Sequence, residues 1–198
     1  MNDPGYILVG LGNPGRQYAR TRHNVGFLLI DRISVRLDAR GMRLQSNALV
    51  TTAQFKSRKV LLAKPQTYMN LSGRAVHALA RFYKIPLEHL LVAHDDLDLP
   101  LGTIRLRPGG GPGGQKGVAS TIENLGSKDF SRLRIGIDRP PGRMDPAAYV
   151  LQEFSGDDLD VISAVLDRAA DAALSFVDEG IAVAMNRFNG SAIEKPSR

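Results

Sequence analysis

His94-Asp95-Asp96-Leu97-Asp98 places three carboxylates within four residues at the end of an apolar run. Such crowding is costly unless a metal ion, a histidine or basic groups face it. Two chemistries follow. A divalent cation held by Asp95, Asp96 and Asp98 makes a metal-dependent hydrolase. A histidine paired with one of the aspartates is instead held in a single tautomer with its imidazolium form favoured, which activates a nucleophile without metal. An Asp at a strand end can equally cap the turn that follows it. The candidate histidine is His23, in Thr21-Arg22-His23-Asn24. It stands where a loop enters a helix, among polar neighbours, and neutral imidazole is suited to taking a proton from water.

Other polar groups sit in turns. Gly12-Asn13-Pro14-Gly15 is a turn whose Pro and Gly are explained by backbone needs, which leaves the Asn13 amide for a ligand. In Lys64-Pro65-Gln66-Thr67-Tyr68-Met69-Asn70, Tyr68 offers a surface for stacking on a base or ribose, and Asn70 can fix a carbonyl or a water. Arg105, Arg107 and Lys116 flank the glycine-rich stretch 108–117, whose backbone N–H groups can cradle phosphate. Lys116 is followed by Gly117, so the nucleotide signature GxxxxGK[ST] is absent. Gly10, Gly12 and Gly15 fit GxGxxG, but Pro14 and the distance to the next helix break the tight turn of a dinucleotide site.

The charge supports an anionic partner. Of 26 basic residues 19 are arginines, and residues 1–150 carry a net charge of +11 against −5 for residues 151–198. Such a field attracts a polyanion, and arginine makes forked phosphate contacts. Cysteine is absent, which removes disulfides, thiolate nucleophiles and Cys-ligated metals. The opening MNDPGYILVG lacks the basic n-region of a secretory leader, and no apolar run approaches the roughly 20 residues of a membrane span. A soluble, cytoplasmic protein is expected.

The elements that must position these residues alternate between strand and helix. Strands are expected at 6–11, 48–54, 59–63, 89–93, 102–107 (half exposed, edge-like) and 133–137. Helices are expected at 24–38, from a Ser72 cap to Tyr83, and at 118–125 ended by Gly126. A final helix of some 20 residues opens on a Ser155–Asp158 capping box and stops near Gly180. Residues 138–146 are read as an irregular turn-rich passage, and the chain after Phe188 as frayed. The predicted fold is a single α/β domain, a mixed twisted sheet flanked by helices on both faces, over residues 1–190, with a flexible tail at 191–198.

Four stretches in register resemble the bacterial-type peptidyl-tRNA hydrolase family: VGLGNPGRQYARTRHNVGF (9–27), KPQTYMNLSGRAV (64–76), LLVAHDDLDLPLGTIRLRPGGGPGG (90–114) and SRLRIGIDRP (131–140). The resemblance implies a monomeric enzyme that cleaves the ester between a peptide and the 3′-terminal ribose of tRNA, with no cofactor or metal. Its partner is the acceptor stem and 3′ end of peptidyl-tRNA. By the family pattern His23 is the general base, Asp95 supports it, and Asn13 senses the peptide or blocked amino group. Tyr18 and Tyr68 line the nucleotide side, Asn70 positions the substrate or water, and Arg107 faces the tRNA. The chain departs from the pattern in one place: Gln115-Lys116-Gly117 stands where the family often has His-Asn-Gly. Lys116 donates hydrogen bonds but cannot accept them as Asn does. The alternative reading is therefore a tRNA-binding protein of the same fold with weak or no hydrolysis.

Overall fold

Tyr-Ile-Leu-Val-Gly at Tyr6–Gly10 is buried at every position and forms the first strand, β1. A strand covered on both faces needs apolar side chains in both directions. Here Leu8 enters the hydrophobic core on one side of the sheet, while Ile7 and Val9 enter the core on the other. The computed structural model describes residues 5–191. Around β1 it builds an eight-stranded mixed sheet in the order β2-β3-β4-β1-β5-β7-β6-β8. The other strands are β2 (Arg43–Gln45), β3 (Ala48–Phe55), β4 (Arg58–Pro65), β5 (Leu90–Asp96), β6 (Thr103–Arg107), β7 (Ser131–Gly136) and β8 (Gly190–Ser191).

Six helices among the described residues cover the two faces. They are α1 (Val25–Arg36), α2 (Ser72–Tyr83), α3 (Lys116–Leu125), α4 (Pro146–Val150), α5 (Asp158–Glu179) and α6 (Ile181–Phe188). Leu29, Ile30 and Ile33 of α1 and Val165, Ala169 and Phe176 of α5 bury one face of the sheet. Val76 and Leu79 of α2 and Val118 of α3 bury the other, with Phe130 between them. The expected single α/β domain with a mixed sheet and two helical layers is the observed architecture.

The four central strands, β4, β1, β5 and β7, run parallel. Their carboxyl ends therefore open on one rim. β4 lies on one side of β1 and β5 on the other, so the connections diverge there, the position at which open α/β sheets form a crevice. Two glycines seat the first helix on that rim. A Cβ on Gly10 would lie 2.0 Å from the Gly26 carbonyl oxygen, so α1 can approach β1 only because both residues lack side chains. The first glycine of the apparent GxGxxG pattern thus serves helix–strand contact, while Gly15 takes a positive φ in the turn.

Several local expectations differ from the structure. α2 does begin at Ser72, but the Ser72 hydroxyl is buried without a hydrogen bond. A 3-10 turn, Met69–Leu71, leads directly into α2, and the Gly73 N–H is satisfied by Ser120 Oγ of α3 at 3.1 Å. The Ser155–Asp158 capping box does not form either: Asp158 turns to Arg22 at 2.8 Å, because a buried guanidinium demands a carboxylate more strongly than a helix end does. α4, which no expected element covers, begins at Pro146, the last residue of the passage read as irregular. Beyond Phe188 the chain returns to the sheet. The Asn189 side chain accepts from the Leu106 N–H at 2.6 Å, and β8 pairs antiparallel with β6, covering the edge that β6 would otherwise leave open. Of the tail expected at 191–198, Ser191 belongs to β8, and 192–198 lie outside the described residues.

Candidate active site

The loops that leave the carboxyl ends of the central strands wall a cleft of about 1020 Å³. Asn13 follows β1, Tyr68 and Asn70 follow β4, Asp95 ends β5, and Arg139 follows β7. His23 reaches the same cleft from the 3-10 turn Arg22–Asn24 that precedes α1. His23 and Asp95, 72 residues apart in sequence, meet there: His23 Nδ1–H donates to Asp95 Oδ2 at 2.8 Å. The bond leaves Nε2 as the acceptor nitrogen of the ring. The Asp95 side chain is only 4% exposed and that of His23 14%, so the pair is shielded on the protein side and open toward the cleft.

The carboxylates of the Asp95-Asp96-Asp98 cluster do not converge. Asp95 faces His23, Asp96 faces Arg134, and Asp98 faces Arg139. Their repulsion is relieved by three separate partners, and Asp96 Oδ1 also accepts the Asp98 N–H at 2.8 Å, closing the turn after β5. No group of three or more His, Asp or Glu side chains among the described residues is arranged to hold a metal ion.

Asn13 is more constrained than its turn implies. Its Oδ1 accepts the Met69 N–H at 2.8 Å, so the amide oxygen is committed and Nδ2 is the end left for the cleft. Asn24, buried beside His23, locks the same loop by accepting from Asn13 N and donating to Asn13 O, both at 2.9 Å. Tyr68 and Asn70 are exposed on the opposite wall. Lys116 lines the cleft from the first turn of α3. Tyr18 and Arg107 are not part of this lining. Tyr18 lies half-buried in the 3-10 turn Arg16–Tyr18. Arg107 lines a smaller neighbouring cavity with Arg132, Arg134 and His94, which shares Asp96 and Gly113 with the main cleft.

The geometry also brings in residues that the motifs did not single out. Gln115, buried at the start of α3, donates from Nε2 to Asp95 Oδ1 at 2.9 Å. Arg22 is buried beside His23, hydrogen-bonds Glu153 O and Asp158, and sits 4.7 Å and 5.0 Å from the ring centres of Tyr149 and Phe154. It therefore ties the α4–α5 connection to the turn that carries His23; Val150 at the end of α4 and Leu151 just after it line the cleft. Its signal was a basic residue next to the candidate histidine, unremarkable in a chain with 19 arginines.

The family model for peptidyl-tRNA hydrolase matches residues 7–196. The chain belongs to the peptidyl-tRNA hydrolase family. It is 50% identical over 182 residues to the peptidyl-tRNA hydrolase of Mycobacterium marinum, covering 91% of this chain and 95% of that one. It is 48% identical to that of Mycobacterium tuberculosis over the same shares. A crystal structure of the peptidyl-tRNA hydrolase of Acinetobacter baumannii superposes with a TM-score of 0.89 at 32% identity, over 96% of this chain and 97% of that one. The fold alone extends further: a 5′-methylthioadenosine nucleosidase of Arabidopsis thaliana reaches a TM-score of 0.51 at 11% identity. As a peptidyl-tRNA hydrolase the chain releases tRNA from peptidyl-tRNA. No helix among its described residues is long and apolar enough to cross a membrane.

Proposed function

We propose that His23 is the general base that activates water against the ester joining peptide to the 3′-terminal ribose, and that Asp95 holds it for that task. The observation that carries the assignment is the 2.8 Å bond from His23 Nδ1 to Asp95 Oδ2 inside the cleft. Nε2 takes a proton from water as the oxygen attacks the ester carbonyl. The imidazolium, stabilised by Asp95, then gives that proton to the departing ribose oxygen. The products are a peptide carboxylate and a free tRNA 3′ end.

The other groups divide the remaining work. Asn70 and Lys116 donate toward the charge that develops on the carbonyl oxygen, a role that asks for donors and not for the acceptor that Lys116 lacks. The free Nδ2 of Asn13 suits a peptide carbonyl. It disfavours an ammonium group, which needs acceptors, so an unblocked aminoacyl-tRNA fits poorly. Tyr18 and Tyr68 belong to the nucleotide side and Arg107 to the phosphates of the acceptor stem. The scheme asks for no group from a second chain, which is in keeping with a monomer acting in the cytoplasm, where peptidyl-tRNA arises.

N-blocked aminoacyl-tRNA tests the assignment. His23→Ala is expected to lower kcat by about 10²- to 10⁴-fold, the usual worth of a general base, with tRNA affinity largely kept. Turnover within a fewfold of wild type in a folded His23→Ala protein overturns it. Tight tRNA binding by the unmodified protein with no hydrolysis at any enzyme concentration would favour the binding-only alternative raised by Lys116.

A further inference from the structure

Gln115 uses both ends of its amide. Oε1 accepts from the N–H groups of Gly117 at 2.5 Å and Val118 at 3.0 Å, which caps α3. Because the oxygen is committed to two backbone donors, the nitrogen must be the end that meets Asp95 Oδ1, at 2.9 Å. The same Nε2 touches Met69 Sδ at 3.4 Å. Room for the amide depends on Gly117, where a Cβ would lie 3.0 Å from Gln115 Oε1 and 2.5 Å from Met69 Sδ. Glutamine is not a preferred N-cap residue, and Ser or Asp would cap α3 at least as well without the length to span to Asp95. Capping alone therefore does not account for glutamine at this position.

We propose that Gln115 is a positioning residue for ester hydrolysis, whose amide N–H fixes the Asp95 carboxylate so that Oδ2 is presented to His23. The inference rests on the reading of His23 as the base. The terminal torsion of an aspartate is soft, so a carboxylate held at one oxygen can swivel and one held at both cannot. Gln115 also draws part of the Asp95 charge toward α3 and away from His23. Being an amide, it does so without gaining or losing a proton across the working range.

Two substitutions separate this role from capping. Gln115→Glu keeps an oxygen for both α3 N–H groups and adds a negative charge at a helix N-terminus, so the cap is preserved. It replaces the donor to Asp95 with a second anionic oxygen. Gln115→Met keeps the length and removes both functions. Steady-state hydrolysis of N-blocked aminoacyl-tRNA across pH 5.5–9 is read beside the melting temperature. The expected result for Gln115→Glu is a fall in kcat of about 10- to 100-fold with KM within about threefold. Its acid limb of kcat/KM moves up by about one pH unit, because added negative charge favours the imidazolium. Gln115→Met moves its acid limb the same way by less, and carries the reading alone should the Glu variant fail to fold. Wild-type kcat with an unmoved acid limb overturns the inference. So does a loss of activity in both variants that follows the melting temperature with no movement of the limb. His23→Ala is run alongside: an inactive His23→Ala with an unaffected Gln115→Glu removes only the role of Gln115, whereas an active His23→Ala removes the base assignment beneath it.

Discussion

At the scale of single residues the site is a relay of fixed donors and acceptors, and that relay dictates what an isosteric change does. Asp95→Asn keeps the shape of the side chain. Gln115 Nε2 is locked as a donor, so the new amide must turn its oxygen toward Gln115 and its nitrogen toward His23. His23 Nδ1 then has to accept, its proton moves to Nε2, and the base is lost from the cleft. A fall in kcat of about 10³- to 10⁴-fold is expected, with little change in stability, and single-turnover hydrolysis measures it. His94, the neighbour of Asp95, titrates differently. Burial pushes its pKa below the ordinary 6.5, outweighing the pull of Asp95 and Asp96, while Arg134 lowers it further. Nδ1–H donates to the Asp95 carbonyl at 2.8 Å, and Nε2 is buried without a partner. Below pH 6.5 the unfolded chain takes up a proton there that the folded one refuses. Stability is therefore complete above that pH and lost as the pH falls, by up to about 1.4 kcal/mol per pH unit. Urea unfolding at several pH values should show a shallower acid slope, by about one proton, in His94→Gln than in wild type. The types of these residues were legible in the sequence. The pairing of His23 with Asp95 was legible only through the family resemblance, because no local pattern reports a contact 72 residues long.

At the scale of elements, the site depends on how closely two helices approach. The loops carrying Tyr68, Met69 and Asn70 on one side and Gln115 on the other run straight into α2 and α3. Those helices touch where Gly73 meets Ser120: a Cβ on Gly73 would lie 2.0 Å from the Ser120 carbonyl oxygen, with backbone as the obstacle. Gly73→Ala must push α3 away and break the bond from Gly73 N–H to Ser120 Oγ. A loss of about 3 kcal/mol in urea unfolding is expected, with a lowered kcat in the protein that remains folded, because Gln115 moves with α3. A Gly73→Ala protein of unchanged stability would show that the two helices can slide apart freely. Long apolar patterns made β1, β5, α1, α2 and α5 readable in advance. β2, β8 and α4 span three, two and five residues, too few for any period to show, and their existence comes from the neighbours they pair with or pack on. α3 starts two residues before the expected 118 for a related reason. Its cap is a glutamine, which acts here through reach and not through the short side chain of a usual N-cap.

At the scale of the whole molecule, the two oppositely charged parts of the chain partly cancel in space. Four acids of α5 are spent on cations from elsewhere in the chain: Asp158 on Arg22, Asp167 on Arg32 and Arg36, Asp171 on Arg36, and Asp178 on Lys56. Arg16, Arg20, Arg74, Arg107, Lys116 and Lys128 are exposed and have no carboxylate partner among the described residues. Part of the uncompensated charge thus stands on the elements around the cleft and the glycine loop, and part stands away from them, at Lys59 near the start of β4 and at Arg81 and Lys84 at the end of α2. A polyanion that meets this surface displaces counterions, so its affinity falls steeply with salt while the proton transfer inside the cleft is untouched. If three phosphates are engaged, raising salt from about 50 to about 200 mM lifts KM for N-blocked aminoacyl-tRNA by about 40-fold with kcat nearly constant. Arg107→Gln should lower the slope of log KM against log salt by about one. Arg32→Gln, whose charge is already answered by Asp167, should leave it unchanged. Equal slopes for Arg107→Gln, Arg32→Gln and wild type would mean that the tRNA approaches another face, and that the arginines of the first 150 residues serve solubility alone.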